Sequence, residues 1–419
     1  MPKLMHIEEA PSASAPTPSM KAFLALGFRP LYIAGAAWAL ISIALWVFAP
    51  QFIGAPLSGV FWHAHEMLWG FIITIAVGFL LTASATWTGF NPIHGRALGG
   101  LCVLWIVARI GYLFGGMTGF TLASIAEGLF FLIAAASLAR VMVKGRSRRN
   151  YGIPLLILGL GVANALYLLA ALDGNYLLLM QRFDLGLIGM AVVALLIARR
   201  VIPFFSMRMV PGLKLPMLTR SGHAQMVVSV IALLAGLAQQ NIVMAVALAI
   251  VGVISLGQIA YWRPLAVLRK PMLWILYLGY AFIGIGLLAA SVQLSGLGTG
   301  VWARSATHVH LIGMAGFCVL IIGMLTRTAL GHVGLPLALD TSMLTSYYLM
   351  IAAVVFRLAA LWPSAASANL LHLAGLAWVL AMGLYLWRFV PLLIRPRADK
   401  PQPVVAKAAP SASAQTQAN

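Results

Sequence analysis

Trp62-His63-Ala64-His65-Glu66-Met67 opens a run that passes through Gly78-Phe79-Leu80-Leu81-Thr82-Ala83 to Trp87 without meeting another charge. An uncharged apolar run of about 20 residues is the length that crosses a hydrocarbon core as a helix. The rest of the chain repeats the pattern. Of its 419 residues, 62% are hydrophobic and 8% charged, where a soluble domain carries roughly 25% charge. Apolar runs punctuated by Gly, Pro and charge fall at about 31–49, 64–86, 97–116, 120–143, 153–172, 176–198, 224–238, 242–262, 272–294, 307–328, 342–361 and 369–393. They predict an all-α polytopic membrane protein of about twelve transmembrane helices embedded in the lipid bilayer. Soluble enzymes, coiled coils and nucleic-acid-binding modules are excluded. Residues 1–26 and 396–419, rich in Pro, Ser and Ala, read as disordered tails around one twelve-helix domain over 27–395. The segment from Arg199 to Gly222 is the longest internal connection expected.

The net charge of +19 follows from topology. Lys and Arg are held on the cytoplasmic side of a membrane. With the N-terminus inside, the loop cations fall on cytoplasmic segments except for Arg182 and Arg304, while Arg109 and Arg357 lie within spans. Both termini are expected to be cytoplasmic, and no nucleic-acid partner is implied. Cys102 and Cys318 both lie in apolar runs, which gives a disulfide scaffold no support. No phosphate-binding Gly-rich loop and no nucleophile triad is visible.

The same topology sorts the histidines. His63 and His65 open span 2, His308 and His310 open span 10, and His372 lies in the first turn of span 12. Even-numbered spans run in one direction, so these five share the outer third of the membrane, whereas His94, His223 and His332 fall at the inner ends. Successive helical residues rotate about 100°, so the members of each His-x-His pair point about 200° apart and serve two neighbouring compartments. At an offset of 245 residues His63 matches His308, His65 matches His310, Gly78 matches Gly323 and Gly89 matches Gly334. That relation suggests repeated helix groups of the same membrane polarity.

Imidazoles on facing helices can take the two axial positions of a haem. Neither Cys belongs to a C-x-x-C-H motif, so any haem is of the b type. Arg357 and Arg109 are buried cations at a depth suited to haem propionates, and an internal ion pair with Glu127 or Glu66 is the alternative weighed for them. Isolated histidines of this kind more often hydrogen-bond than bind metal. The 19 methionines read as packing rather than as copper ligands. The inner-face group Arg327, His332, Arg199, Arg200, His94 and Arg96 reads mostly as topology anchors.

Gly27-Phe28-Arg29-Pro30, Trp62-His63-Ala64-His65-Glu66-Met67, Gly78-Phe79-Leu80-Leu81-Thr82-Ala83, Trp87-Thr88-Gly89, Arg200-Val201-Ile202-Pro203-Phe204-Phe205, His308 with His310, and Thr326-Arg327-Thr328-Ala329-Leu330-Gly331-His332 together resemble the NnrS family over about residues 21–395. The resemblance implies a multi-pass bacterial inner-membrane protein carrying haem and copper, linked to the nitric oxide response and nitrosative stress in denitrifying and host-associated bacteria. It implies nitric oxide as a small-molecule ligand that a haem binds or converts, with an electron donor the sequence does not identify.

A second, architectural resemblance is to the catalytic subunit of haem-copper oxidases and nitric oxide reductases. It implies that His65, or less readily His63, pairs with His310 on one haem, and that His308 is the proximal ligand of another. The chain departs from that pattern in spans 6 and 7, where the oxidases' copper histidines are missing. Copper is expected instead at the outer face, with His63, His372 and Glu66 foremost among His63, His65, His308, His310, His372 and Glu66. The competing class is a twelve-helix secondary transporter for a metal, haem or small metabolite, its outer histidines forming a gate.

Overall fold

The computed structural model describes residues 17–54 and 56–398. Among them twelve helices are long and apolar enough to cross a membrane. They are α1 (Phe28–Phe48), α2 (Gly59–Thr88), α3 (Gly95–Phe114), α4 (Gly116–Lys144), α5 (Arg148–Leu172), α6 (Tyr176–Met209), α7 (Thr219–Leu237), α8 (Asn241–Tyr261), α9 (Pro271–Leu294), α10 (Ser305–Val333), α11 (Thr341–Ala359) and α12 (Ser367–Leu393). The described residues contain no strand. Nearly all of the expected 396–419 tail and most of the 1–26 tail lie outside the described residues. The end of the latter is structured, because Met20–Phe23 forms a helical turn and the Ser19 N–H donates to the Ile394 carbonyl.

The 199–222 segment is not the long connection its charges suggested. α6 continues through Arg199 and Arg200 to Met209, and α7 begins at Thr219. Arginine ends an apolar run but is a good helix former. Pro203, inside α6, forfeits one backbone bond to the Arg199 carbonyl without ending the helix.

α2 and α6 are each 78% buried and α10 is 67% buried, well above the outer spans, and these three form the centre of the bundle. α2 and α10 share an uncommon feature. Their His-x-His turns lead into π-helical stretches, Glu66–Ile73 and Leu311–Cys318, which touch each other across the bundle. Both helices end on a left-handed glycine, Gly89 at φ 76° and Gly334 at φ 80°, the conformation in which glycine carries no Cβ penalty. These landmarks are again 245 residues apart. The helices α1 to α4 correspond to α9 to α12 at that offset, so the repeat expected from four matched residues extends to two four-helix groups.

Asp340 shows how one span end is fixed. Its carboxylate caps α11 by accepting the Met343 N–H at 3.0 Å, and it accepts from the Ser342 hydroxyl at 2.6 Å and from Arg388 Nε on α12 at 2.6 Å. Burial raises this carboxyl, but those hydrogen bonds and the Arg388 charge outweigh it and hold it at about 2. A depressed folded-state pKa gives stability that is complete above the unfolded value of about 3.9 and is lost as pH falls toward 2. Asp340→Ala is expected to lower stability by about 1 kcal/mol at neutral pH. Its melting temperature should also fall less than the parent's between pH 5 and pH 3; an unchanged acid slope would remove this role for the cap.

Candidate functional site

The two histidines of each pair point into different compartments. His65 turns toward α3, α4 and α5, where an apolar bilayer segment has collected a polar network. The ring is fully buried. Its Nδ1 lies 2.8 Å from Glu66 Oε1, and its Nε2 lies 2.9 Å from Asn164 Oδ1 and 3.2 Å from Glu127 Oε2. Arg109 Nη1 donates to Glu66 Oε2 at 2.6 Å and its Nη2 to Glu127 Oε1. Glu127 Oε2 also accepts from Asn164 Nδ2 at 2.7 Å and from the Tyr112 hydroxyl at 3.1 Å, and Trp38 Nε1 donates to Glu66 Oε2 at 2.5 Å.

Both nitrogens of His65 face acceptor oxygens, which is the pattern of a doubly protonated ring. One imidazolium, one guanidinium and two carboxylates then cancel to zero net charge, the condition under which buried charges are tolerated. Trp69 and Tyr167 stack on the ring at centroid distances of 5.4 and 5.9 Å, with Tyr112 edge-on at 4.8 Å. Gly70 makes room for the network, since a Cβ there would strike the Arg109 guanidinium and come within 2.6 Å of Glu66 Oε2.

Both ring nitrogens of His65 are engaged by this network rather than turned toward His310. Arg109 takes the internal alternative, with two carboxylates already neutralising it. Asn164, Tyr112 and Trp38 complete the network and were not singled out from the sequence. Asn164, a lone amide in an apolar span, was the available signal, since an intramembrane polar side chain is retained where it has partners.

His63 and His310 face the other compartment. His63 stacks on Trp46 at 5.1 Å with the planes 9° apart, and its Nδ1 is buried without a hydrogen-bond partner. His310 lies on α10. Its Nδ1–H donates to the Ala306 carbonyl one turn back at 2.7 Å, which fixes the tautomer and leaves Nε2 as a lone pair. Arg357, on α11, acts electrostatically on both rings, and His63 acts on His310. The Arg357 guanidinium is half-buried and has no hydrogen bond or ion pair among the described residues.

His308 points toward α6, its Nε2 3.0 Å from Asp184 Oδ1 and its Nδ1 buried and unpartnered. His372 is exposed and stacks on Phe48 at 5.8 Å. Among the described residues no group of three or more His, Cys, Asp or Glu side chains is gathered to hold a metal ion. The six residues expected to offer copper ligands, His63, His65, His308, His310, His372 and Glu66, are thus divided. His65 and Glu66 are tied up in the network, His308 is tied to Asp184, and His372 lies on the outer surface of the bundle.

The chemistry of the second compartment fits a haem. A metal-ligating histidine typically donates its other ring N–H to a carbonyl or carboxylate, as His310 does to Ala306. The unpartnered Arg357 suits a propionate, and the buried His63 Nδ1 has no hydrogen-bond partner in the protein. At the opposite membrane face Met209 and Met272 turn their sulfurs to the Arg327 guanidinium, a packing role for methionine rather than a copper stripe.

A family model described as NnrS protein matches residues 22–397 of the chain. No curated protein matches it.

Proposed function

From the premise that the chain belongs to the NnrS family, and so to membrane proteins of the nitric oxide response, we propose that it holds a b-type haem between α2 and α10. His310, through Nε2, and His63 would hold the iron, and Arg357 would pair with a propionate. The observation that carries this reading is His310 itself, whose tautomer is set by Ala306 so that a lone pair faces a compartment with an uncompensated cation. In this reading His308 is oriented through Asp184, as a second donor at the same depth.

Haem iron supplies a strong ligand site for nitric oxide. The chain's own part is to keep water and anions away from that site and to admit an apolar gas. An apolar cavity of about 70 Å³ supports the second task. Its walls include Ile72 and Ile75 of α2, Met190 of α6, Leu276 of α9, and Leu320 and Met324 of α10. A dry cavity of this kind accepts small apolar molecules. The buried His65 network has the role of a fixed scaffold that ties α2 to α3, α4 and α5. The loop cations favour an orientation with both termini and Arg199 inside the cell and the histidines at the outer surface of the bacterial inner membrane. Copper, if bound beside the haem, would draw on His63 or His308 rather than on His65 and Glu66.

Purification followed by haem and metal quantitation and an absorption spectrum tests the reading. The expected result is haem in near-stoichiometric amount with a Soret band that shifts when nitric oxide is added to the reduced protein. A colourless protein from haem-replete cells would end the proposal. The physiological role is tested separately, by a deletion strain that should grow more slowly than its parent under a nitric oxide donor.

A further inference from the structure

The membrane face opposite the histidines holds positive charge that the protein leaves uncompensated. Arg199 is only 6% exposed, makes no hydrogen bond among the described residues, and has a buried Nε without a partner. The Nε of Arg200 is also buried and unpartnered, and this side chain's one hydrogen bond runs from Nη1 to Asn150 Oδ1 at 2.8 Å. Arg149, exposed on the first turn of α5, lies within electrostatic range of both. Of the described carboxylates, Glu66, Glu127, Asp184 and Asp340 are paired elsewhere, and none contacts these arginines.

The Arg199 guanidinium also lies on the first turn of α7. A Cβ on Gly222 would come within 2.6 Å of Arg199 Cζ and would strike Nη1. α7 is 19 residues long, and its N-cap, Leu218, supplies no side-chain hydrogen bond. The N–H groups of its first turn are thus uncapped, and the positive end of its dipole is turned toward a buried cation. Placing a guanidinium there is unfavourable unless an anion lies between the two, and a helix N-terminus with convergent arginines is the arrangement that receives a phosphate.

We propose that the N-terminal turn of α7, with Arg199, Arg200 and Arg149, binds a phosphate-class anion, supplied by the headgroup of an anionic phospholipid. Arg149 and Arg200 open the cluster to the headgroup layer, and on its bilayer side Leu155 of α5 and Val227 of α7, 70% and 61% exposed, offer apolar surface to the acyl chains. Basic pockets between spans receive anionic headgroups in this way. Free orthophosphate has the same chemistry but no use for that apolar flank.

The test is native mass spectrometry of the full-length protein, delipidated in detergent and titrated with phosphatidylglycerol or phosphatidylcholine, with and without excess orthophosphate. Phosphatidylglycerol should bind more tightly than phosphatidylcholine and resist orthophosphate. Arg199→Gln and Gly222→Ala should each weaken phosphatidylglycerol about fivefold while leaving phosphatidylcholine unchanged. Gly222→Ala keeps every charge and only displaces the guanidinium, and Arg200→Gln is read in place of Arg199→Gln if the latter does not fold. Equal affinity for the two lipids, or variants that bind phosphatidylglycerol like the parent, would overturn the proposal. Displacement by orthophosphate, weakened in the same variants, would overturn the lipid as occupant and assign the site to the free ion.

Discussion

Arg109→Met is expected to lower folding stability by about 3–5 kcal/mol, the range found when one partner of a buried ion pair is removed. The guanidinium bridges Glu66 and Glu127 at a depth where no water competes. Without it two carboxylates share one imidazolium, and the network carries an uncompensated negative charge in a medium of low dielectric. Arg109→Lys should recover only part of the loss, because an ammonium cannot present the planar fork that reaches both carboxylates. The double change Arg109→Met, Glu127→Gln should be more stable than Arg109→Met alone, since it leaves one carboxylate, Glu66, against the one imidazolium. Thermal melts followed by size-exclusion recovery would measure all three. An Arg109→Met protein that melts with the parent would show that the network is not closed in the way its geometry indicates.

The second large effect separates the two histidine compartments. His310→Ala and His63→Ala should each abolish or severely reduce haem content in a protein that still folds, because each ring keeps a nitrogen that the protein itself does not use. His65→Ala should do the reverse. It breaks the neutral network and lowers the melting temperature, yet haem incorporated during synthesis at low temperature should remain near parent stoichiometry. Pyridine haemochrome quantitation on monodisperse fractions provides the readout, with melting as the control. If His65→Ala alone loses haem while His63→Ala keeps it, the assignment within the first pair is reversed.

Much of the architecture was legible in the sequence for a simple reason: in hydrocarbon every backbone group must be bonded within its own segment, so apolar length alone fixes the helices. The position of His63, His65, His308 and His310 near the starts of their helices was legible for the same reason. Side-chain azimuth was not. His63 and His65 are separated by one residue, and which of them meets His310 depends on the winding of α2. That winding is π-helical just past the pair, which no apolar pattern records. Glu66 and Glu127 were seen as alternative partners for Arg109, but that both engage it at once requires α2, α3 and α4 to converge, a tertiary fact. The extension of α6 past Arg199 was misread because charge marks the edge of the apolar run, not the end of the helix.

The paired π segments have a further consequence. A π turn holds one residue more than an α turn, so each segment acts as a phase shifter between the two halves of its rod. Were Glu66–Ile73 or Leu311–Cys318 wound as α with every residue kept, the imidazole-bearing half would swing by about 100° against the rest, whereas removing one residue along with the π turn would leave the two halves in their present phase. The aim of the histidine nitrogens is in this sense stored in the backbone's pitch.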